Sequence, residues 1–345
     1  MYLNIYEALV KVGYIPGEKF TMKVNDSLTR GAPVYQFAYD WRQSNTVNAK
    51  KLSEYIDNLQ SRLVKDHTSA IKPQVDLVCH SMGCLLARYY LRYGEQGLGS
   101  VNKPPVLDWR GARKVENLVM VAPPNRGSIS AFVTLIDGFY IRPFKLFQYP
   151  AAVVGTMPSM YELLPRTDIA NATNQDGGRV DIMDPKLWQD MRWGLLDPDQ
   201  QSVLKEIAPE YMTNKARIKA ATVLQEQLLF NARRFHLLLD TVSERPPGLK
   251  YWLFAGVGEL TDSKIFIDNM TKSYSTNKAK LGDGSVIRQS AYAIKNPSRP
   301  DQGTMIQWDN AAFFHSHHLE LVKSNDFLVN FFYTLSWGKY LDGDR

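Results

Sequence analysis

The chain of 345 residues holds only two cysteines, Cys79 and Cys84, which excludes a small scaffold held together by disulfides. They flank a short segment whose strand–turn–helix character should point them in different directions. Two small buried thiols are therefore expected rather than a disulfide. No stretch approaches the ~18 uninterrupted apolar residues of a membrane span. No run of like charges marks a nucleic-acid-binding arm. The start, Met1-Tyr2-Leu3-Asn4, lacks the basic head, apolar run and small-residue cleavage site of a signal peptide. A soluble protein, cytoplasmic by default, is expected. The histidines lack helical pair spacing with a carboxylate, so neither metal nor cofactor is expected.

What is present is ordinary globular material. Hydrophobic residues at 44% and charged ones at 22% suffice for a sizeable core. The formal charge of +6 fits a solvated surface, with attraction to anionic lipid headgroups as the sharper alternative. Residues 34–39, rich in aromatic and β-branched side chains, read as a strand ending at Asp40-Trp41-Arg42. Leu52, Ile56, Leu59 and Leu63 give 46–66 a helical rhythm. Val75–Cys79 and Val115–Val121 read as buried strands, with a helix from Gly83 to about Gly94 between them. Strands alternating with helices predict parallel pairing through right-handed crossovers.

From about 128 to 245 the alternation stops. Aromatic, proline-rich loops (Phe139, Tyr140, Phe144, Phe147, Tyr149) and a long helical pattern at 215–240 suggest a cap inserted into the sheet domain. The aromatic stripe suits either a lipid-facing lid or core packing within the cap. Strand character resumes at 250–257, and a last strand near 304–308 and a helix near 325–336 would close the fold. The expected domains are thus a core of 1–128 and 246–345 with a cap of 129–245.

A serine hydroxyl attacks a carbonyl at neutral pH only if a base removes its proton. Ser81, between a buried strand and a helix in Cys79-His80-Ser81-Met82-Gly83, sits where a tight elbow would expose it at the carboxyl edge of the sheet. Gly83 supplies the small residue such a turn needs, whereas Cys79 stands where glycine is commoner. The Met82 N–H would be one oxyanion donor. Where a serine sits on such a strand–turn–helix elbow, an acid and then a histidine follow it along the chain. Asp283, flanked by Gly282 and Gly284, is the best acid, with Asp262 and Glu259 as fallbacks. His67 precedes the serine, His80 adjoins it and is not expected to reach back, and His236 falls mid-helix in the cap. The base therefore comes from His315, His317 and His318, with His318 preferred and His317 the alternative.

Together these blocks resemble the lecithin:cholesterol acyltransferase-like branch of the α/β-hydrolases, which includes bacterial esterases and lipases. The resemblance rests on Tyr39-Asp40-Trp41-Arg42, His80-Ser81-Met82-Gly83 with Ala87-Arg88-Tyr89-Tyr90, and Ala122-Pro123-Pro124-Asn125-Arg126-Gly127-Ser128. Met157-Pro158-Ser159-Met160-Tyr161-Glu162-Leu163-Leu164-Pro165, Gly282-Asp283-Gly284 and His318-Leu319-Glu320-Leu321-Val322 complete it. It implies an α/β-hydrolase fold, a mostly parallel sheet with helices on both faces and an inserted cap. It also implies an acyl-enzyme mechanism on apolar or lipid esters, with Ser81, Asp283 and His318 at the triad positions. Acyl transfer with the same residues, or an inactive lipid-binding relative, are the alternatives. The expected partner is a lipid or other apolar ester, with transient contact to a lipid interface and no nucleic acid. Asp40-Trp41-Arg42 is expected to form a buried ion pair beside a packed indole, with a wall or indirect orienter of the site as the alternative. The family's upstream Pro-Gly-rich oxyanion segment has no counterpart in the roughly thirty residues before position 34. Those residues read as a helix (Ile5, Leu9, Val12) and Gly13-Tyr14-Ile15-Pro16-Gly17. An N-terminally shortened form, or a second donor from another segment or subunit, is the expectation.

Overall fold

A computed structural model describes residues 2–19, 32–65, 73–141 and 147–341 of the chain. His67 and Phe144, both singled out above, lie outside the described residues. The elements that position the site are α1 (Tyr2–Lys11), α2 (Asn45–Lys65), β1 (Val75–His80), α3 (Gly83–Tyr93), β2 (Val115–Val121) and α4 (Ile129–Asp137). They continue with α5 (Asn214–Asp240), β3 (Lys250–Val257), β4 (Glu259–Asp268), β5 (Ser273–Gly282), β6 (Asn310–His315) and α6 (Asn325–Leu341).

Among the described residues, four strands form the central sheet in the order β6-β3-β2-β1, and every neighbouring pair is parallel. Near-continuous apolar runs are what a sheet covered on both faces demands, and β2 meets that demand residue by residue. Leu118 and Met120 join Leu52, Ile56, Leu85, Tyr89 and Phe235 of α2, α3 and α5 on one face. Val119 and Val121 pack on the other with Ile5 and Leu9 of α1 and Phe327 and Phe331 of α6. Alternate residues thus feed opposite layers. The result is an α/β sheet with helices on both sides, as the sequence leads one to expect.

Between β2 and β3 the described chain contributes no strand to this sheet. A second apolar cluster fills that interval, built on Phe132 of α4, Tyr161, Trp188, Trp193 and Leu229 of α5, and it includes Ile265 and Ile267 of β4. β4 and β5 form an antiparallel hairpin outside the main sheet.

Three expectations need correction. Of the expected 34–39 strand only Val34 is paired, within the short strand Pro33–Val34, and its partner is Ile15–Pro16 rather than the central sheet. Downstream of it Phe37 stacks on Tyr39 and tilts against Tyr55 of α2, so side-chain packing replaces backbone pairing. The last strand runs from Asn310 to His315, not 304–308; the Trp308 indole instead donates to the Tyr292 carbonyl. Finally, Cys79 and Cys84 are joined as a disulfide with Cα atoms 5.1 Å apart. Cys79 points to the face on which α3 packs, and the elbow folds the start of that helix back over it, so the two side chains converge.

Candidate active site

The site is assembled at the carboxyl ends of the parallel strands, where loops leave the sheet and polar groups meet solvent. β1 ends at His80, and Ser81 follows with φ +53°, a left-handed conformation costly for any residue with a Cβ. Two backbone bonds hold it there. Ser81 N–H donates to Val121 O at 2.9 Å, and Ser81 O accepts from Cys84 N–H at 3.0 Å. The first turn of α3 therefore begins directly beside the hydroxyl, with Met82 as its N-cap residue.

Asp283 is presented by the turn after β5. A Cβ on Gly282 would lie 2.1 Å from Val286 O, and Gly284 has φ +90°, so both flanking glycines are required by geometry. The Asp283 side chain is almost wholly buried. Its Oδ1 accepts from the backbone N–H groups of Ser285 (2.9 Å) and Val286 (2.7 Å), which leaves Oδ2 for an outside partner. That partner is His318, whose Nδ1 lies 2.8 Å away. The other ring nitrogen, Nε2, is 2.9 Å from Ser81 Oγ. The backbone repeats the link, since His318 N–H donates to Asp283 O at 2.8 Å. Ser81, His318 and Asp283 thus form one hydrogen-bonded chain.

The other two histidines of the cluster go elsewhere. His317 Nε2 lies 3.2 Å from Glu259 Oε2, and His315 Nδ1 lies 3.8 Å from Glu259 Oε1. Both rings are largely exposed. Glu259, a fallback acid, thus faces His315 and His317, and Asp262 accepts from Thr276 Oγ1 at 2.6 Å. His236 is buried in α5 with Nε2 2.8 Å from Glu162 O. Burial, with the Arg166 charge nearby, lowers its pKa to about 3.

Sequence reasoning missed two neighbours of the chain of bonds. Gly256 in β3 makes room for the acid: a Cβ there would lie 2.6 Å from Asp283 Cβ and 2.5 Å from Ser316 O. A glycine inside a strand is the one signal that could have pointed to such a close approach. His80 does reach the site, with Nε2 3.0 Å from His318 O. Nothing local in the sequence signals a contact across 238 positions.

Asp40-Trp41-Arg42 differs from the buried pair expected. Arg42 Nε and Nη2 meet the Asp40 carboxylate at 2.8 and 3.0 Å, but the Arg42 side chain is 60% exposed. Hydrogen bonds from Arg42 hold the Asp40 pKa down to about 2. Water screens such a pair, so its part is to shape the bend rather than to stabilise a core. Trp41 is half-exposed, edge-on to Tyr149 with ring centroids 6.3 Å apart. Phe139, also exposed, lies 6.3 Å from the same tyrosine.

Among the described residues, no strand preceding β1 joins the central sheet. No group of three His, Cys, Asp or Glu side chains among them is arranged to hold a metal ion. No helix among them is long and apolar enough to cross a membrane.

The sequence model of the lecithin:cholesterol acyltransferase family matches residues 22–285, a span that includes Ser81 and Asp283 and stops before His318. No curated protein sequence matches the chain. A solved chain from the crystal structure of the Tle4–Tli4 complex superposes with a TM-score of 0.54 at 16% identity, over 84% of this chain. This chain spans 65% of that one, just under two-thirds of its length. At that identity the likeness speaks to the fold alone, and it agrees with the α/β-hydrolase architecture.

Proposed function

We propose that this chain, which belongs to the lecithin:cholesterol acyltransferase family, cleaves carboxylic esters of lipid or other apolar type through an acyl-enzyme on Ser81. Family membership supports an acyl-ester hydrolase or acyltransferase in general terms. The finer reading is carried by one observation, the unbroken hydrogen-bonded chain from Ser81 Oγ through His318 to Asp283.

In this reading His318 Nε2 takes the Ser81 proton as Oγ bonds to the ester carbonyl carbon. Asp283 holds the ring by Nδ1 and offsets the positive charge that the ring acquires. Met82 N–H donates to the tetrahedral oxyanion. Collapse expels the alcohol, which leaves with the proton from His318. Water, deprotonated by the same nitrogen, then attacks the acyl-serine and releases the acid. Ser81, Asp283 and His318 are the catalytic residues, and His317, held by Glu259, is not the base. No cofactor or metal enters any step.

Residues 129–245 are read as a cap on a core of 1–128 and 246–345. The exposed aromatic side chains of Trp41 and Phe139 suit transient contact with a lipid interface. The family match favours one second reading, transfer of the acyl group from Ser81 to an alcohol instead of water. A fluorophosphonate probe tests the shared step: it should label wild-type protein and not Ser81→Ala. Folded wild-type protein that stays unlabelled would overturn the proposal. Product analysis with water and an added alcohol in competition then separates hydrolysis from transfer.

A further inference from the structure

The last residue of β1 is His80, and its ring is 1% exposed. Strand alternation sends its side chain to the face opposite Cys79, toward the segment that follows β6. There Nε2 lies 3.0 Å from the carbonyl oxygen of His318, and the two imidazoles stand 4.9 Å apart at 57°. A carbonyl only accepts, so Nε2 of His80 carries the proton. A second positive charge beside His318 is disfavoured there. Burial, reinforced by the His318 charge, lowers the His80 pKa to about 4, so the ring is the neutral Nε2–H tautomer at neutral pH.

His318 sits in a non-helical stretch between β6 and the short 3₁₀ turn Leu321–Lys323. Its peptide N–H donates to Asp283 O at 2.8 Å. Its peptide carbonyl accepts from His80. The main chain of the base is therefore gripped on one side by the acid and on the other by the residue covalently joined to the nucleophile. That second grip fixes the serine–histidine separation through a single peptide unit and a single hydrogen bond.

We propose that His80 is a positioning residue, whose ring N–H anchors the His318 carbonyl and so sets the base at bonding distance from Ser81. The inference rests on the proposed acyl-enzyme reading for its kinetic consequence. Its structural content, the anchoring of the 315–321 segment, stands apart from that reading. Since small misplacements of a catalytic group cost up to about 10²-fold in rate, the bond's loss should appear in kcat and not in KM.

The test compares wild type, His80→Gln and His80→Phe in the full chain. Gln places an N–H donor near the position of Nε2, and Phe keeps a ring of similar size with no donor. With a small soluble ester such as p-nitrophenyl butyrate, His80→Phe should lower kcat by at least ~10-fold at nearly unchanged KM, and His80→Gln should recover most of it. In parallel, amide hydrogen exchange over 313–322 should quicken in His80→Phe and stay near wild type in His80→Gln. If His80→Phe fails to fold, His80→Met, also without a donor, takes its place. Exchange that is unchanged without the donor, or Gln and Phe variants equally impaired, would overturn the proposal. Wild-type protein that neither turns over ester nor binds fluorophosphonate would instead sink the acyl-enzyme reading, and the exchange data would still decide the anchor.

Discussion

Glu162, in the segment between β2 and β3, caps the start of α2 through Asn45: its Oε2 accepts from both Asn45 N–H and Asn45 Nδ2 at 2.7 Å. Ser44 Oγ donates to the other carboxyl oxygen at 2.5 Å. The carboxyl is 2% exposed. It ties the region after Asp40-Trp41-Arg42 to the Met157–Pro165 block, two pieces that look unrelated in the sequence.

The Glu162 carboxyl should make stability depend on pH. Burial raises its pKa from 4.5 to about 7, against the opposing hydrogen bonds from Ser44 and Asn45. A folded-state pKa above the unfolded value means a contribution complete below pH 4.5 and lost as pH rises through about 7. Relative to Glu162→Gln, wild type should therefore lose melting temperature between about pH 5 and pH 8. A constant difference between the two proteins across that range would refute this.

His236 should act in the opposite sense. Its pKa falls from 6.5 to about 3 on burial, so the neutral ring contributes stability above pH 6.5 that is lost as pH falls toward 3. An acid titration followed by circular dichroism should show a shallower loss for His236→Gln than for wild type. Parallel curves would show that the ring does not govern the transition.

For the proposed chemistry, Asp283→Asn should keep the fold and lower kcat by about 10³–10⁴-fold, because the ring of His318 loses its orienting charge. His317→Ala should leave kcat close to wild type, since His317 pairs with Glu259 rather than Ser81. A collapse of kcat in His317→Ala with activity retained in Asp283→Asn would reverse the assignment.

Gly256→Ala puts a methyl group 2.6 Å from Asp283 Cβ. Overpacking of this kind costs about 1–3 kcal/mol, and here it pushes on the acid itself. Urea unfolding should register the loss, and kcat should fall further than stability alone explains. Unchanged values for both would mean that the acid turn yields without consequence.

Much of this architecture was legible where one local pattern decides the outcome. Val115–Val121 and residues 250–257 were bounded correctly because parallel strands buried on both faces leave continuous apolar runs. The turn around Asp283 announced itself through two glycines, each needed for its own reason. The strand expected at 34–39 failed because Phe37 and Tyr39 are spent on aromatic packing against α2, which composition alone does not distinguish from pairing. The β4–β5 hairpin went unseen since β5 carries mainly exposed polar residues, Ser273, Ser275, Asn277 and Lys278 among them, and shows no core-facing run. The part of His80 is not legible locally, because it depends on the path of the distant 315–321 segment.

The order β6-β3-β2-β1 also has a consequence for folding. Ser81 follows the strand at one end of this sheet, and His318 follows the strand at the other, three strand spacings or roughly 14 Å away. Residues separated by 237 positions must meet above its rim, which only a correctly threaded sheet allows. Such distant pairings form late and slowly. In the proposed acyl-enzyme reading, a probe that reacts only with the activated serine would then report when the two ends of this sheet have come together, and would serve as a clock for a late step of folding.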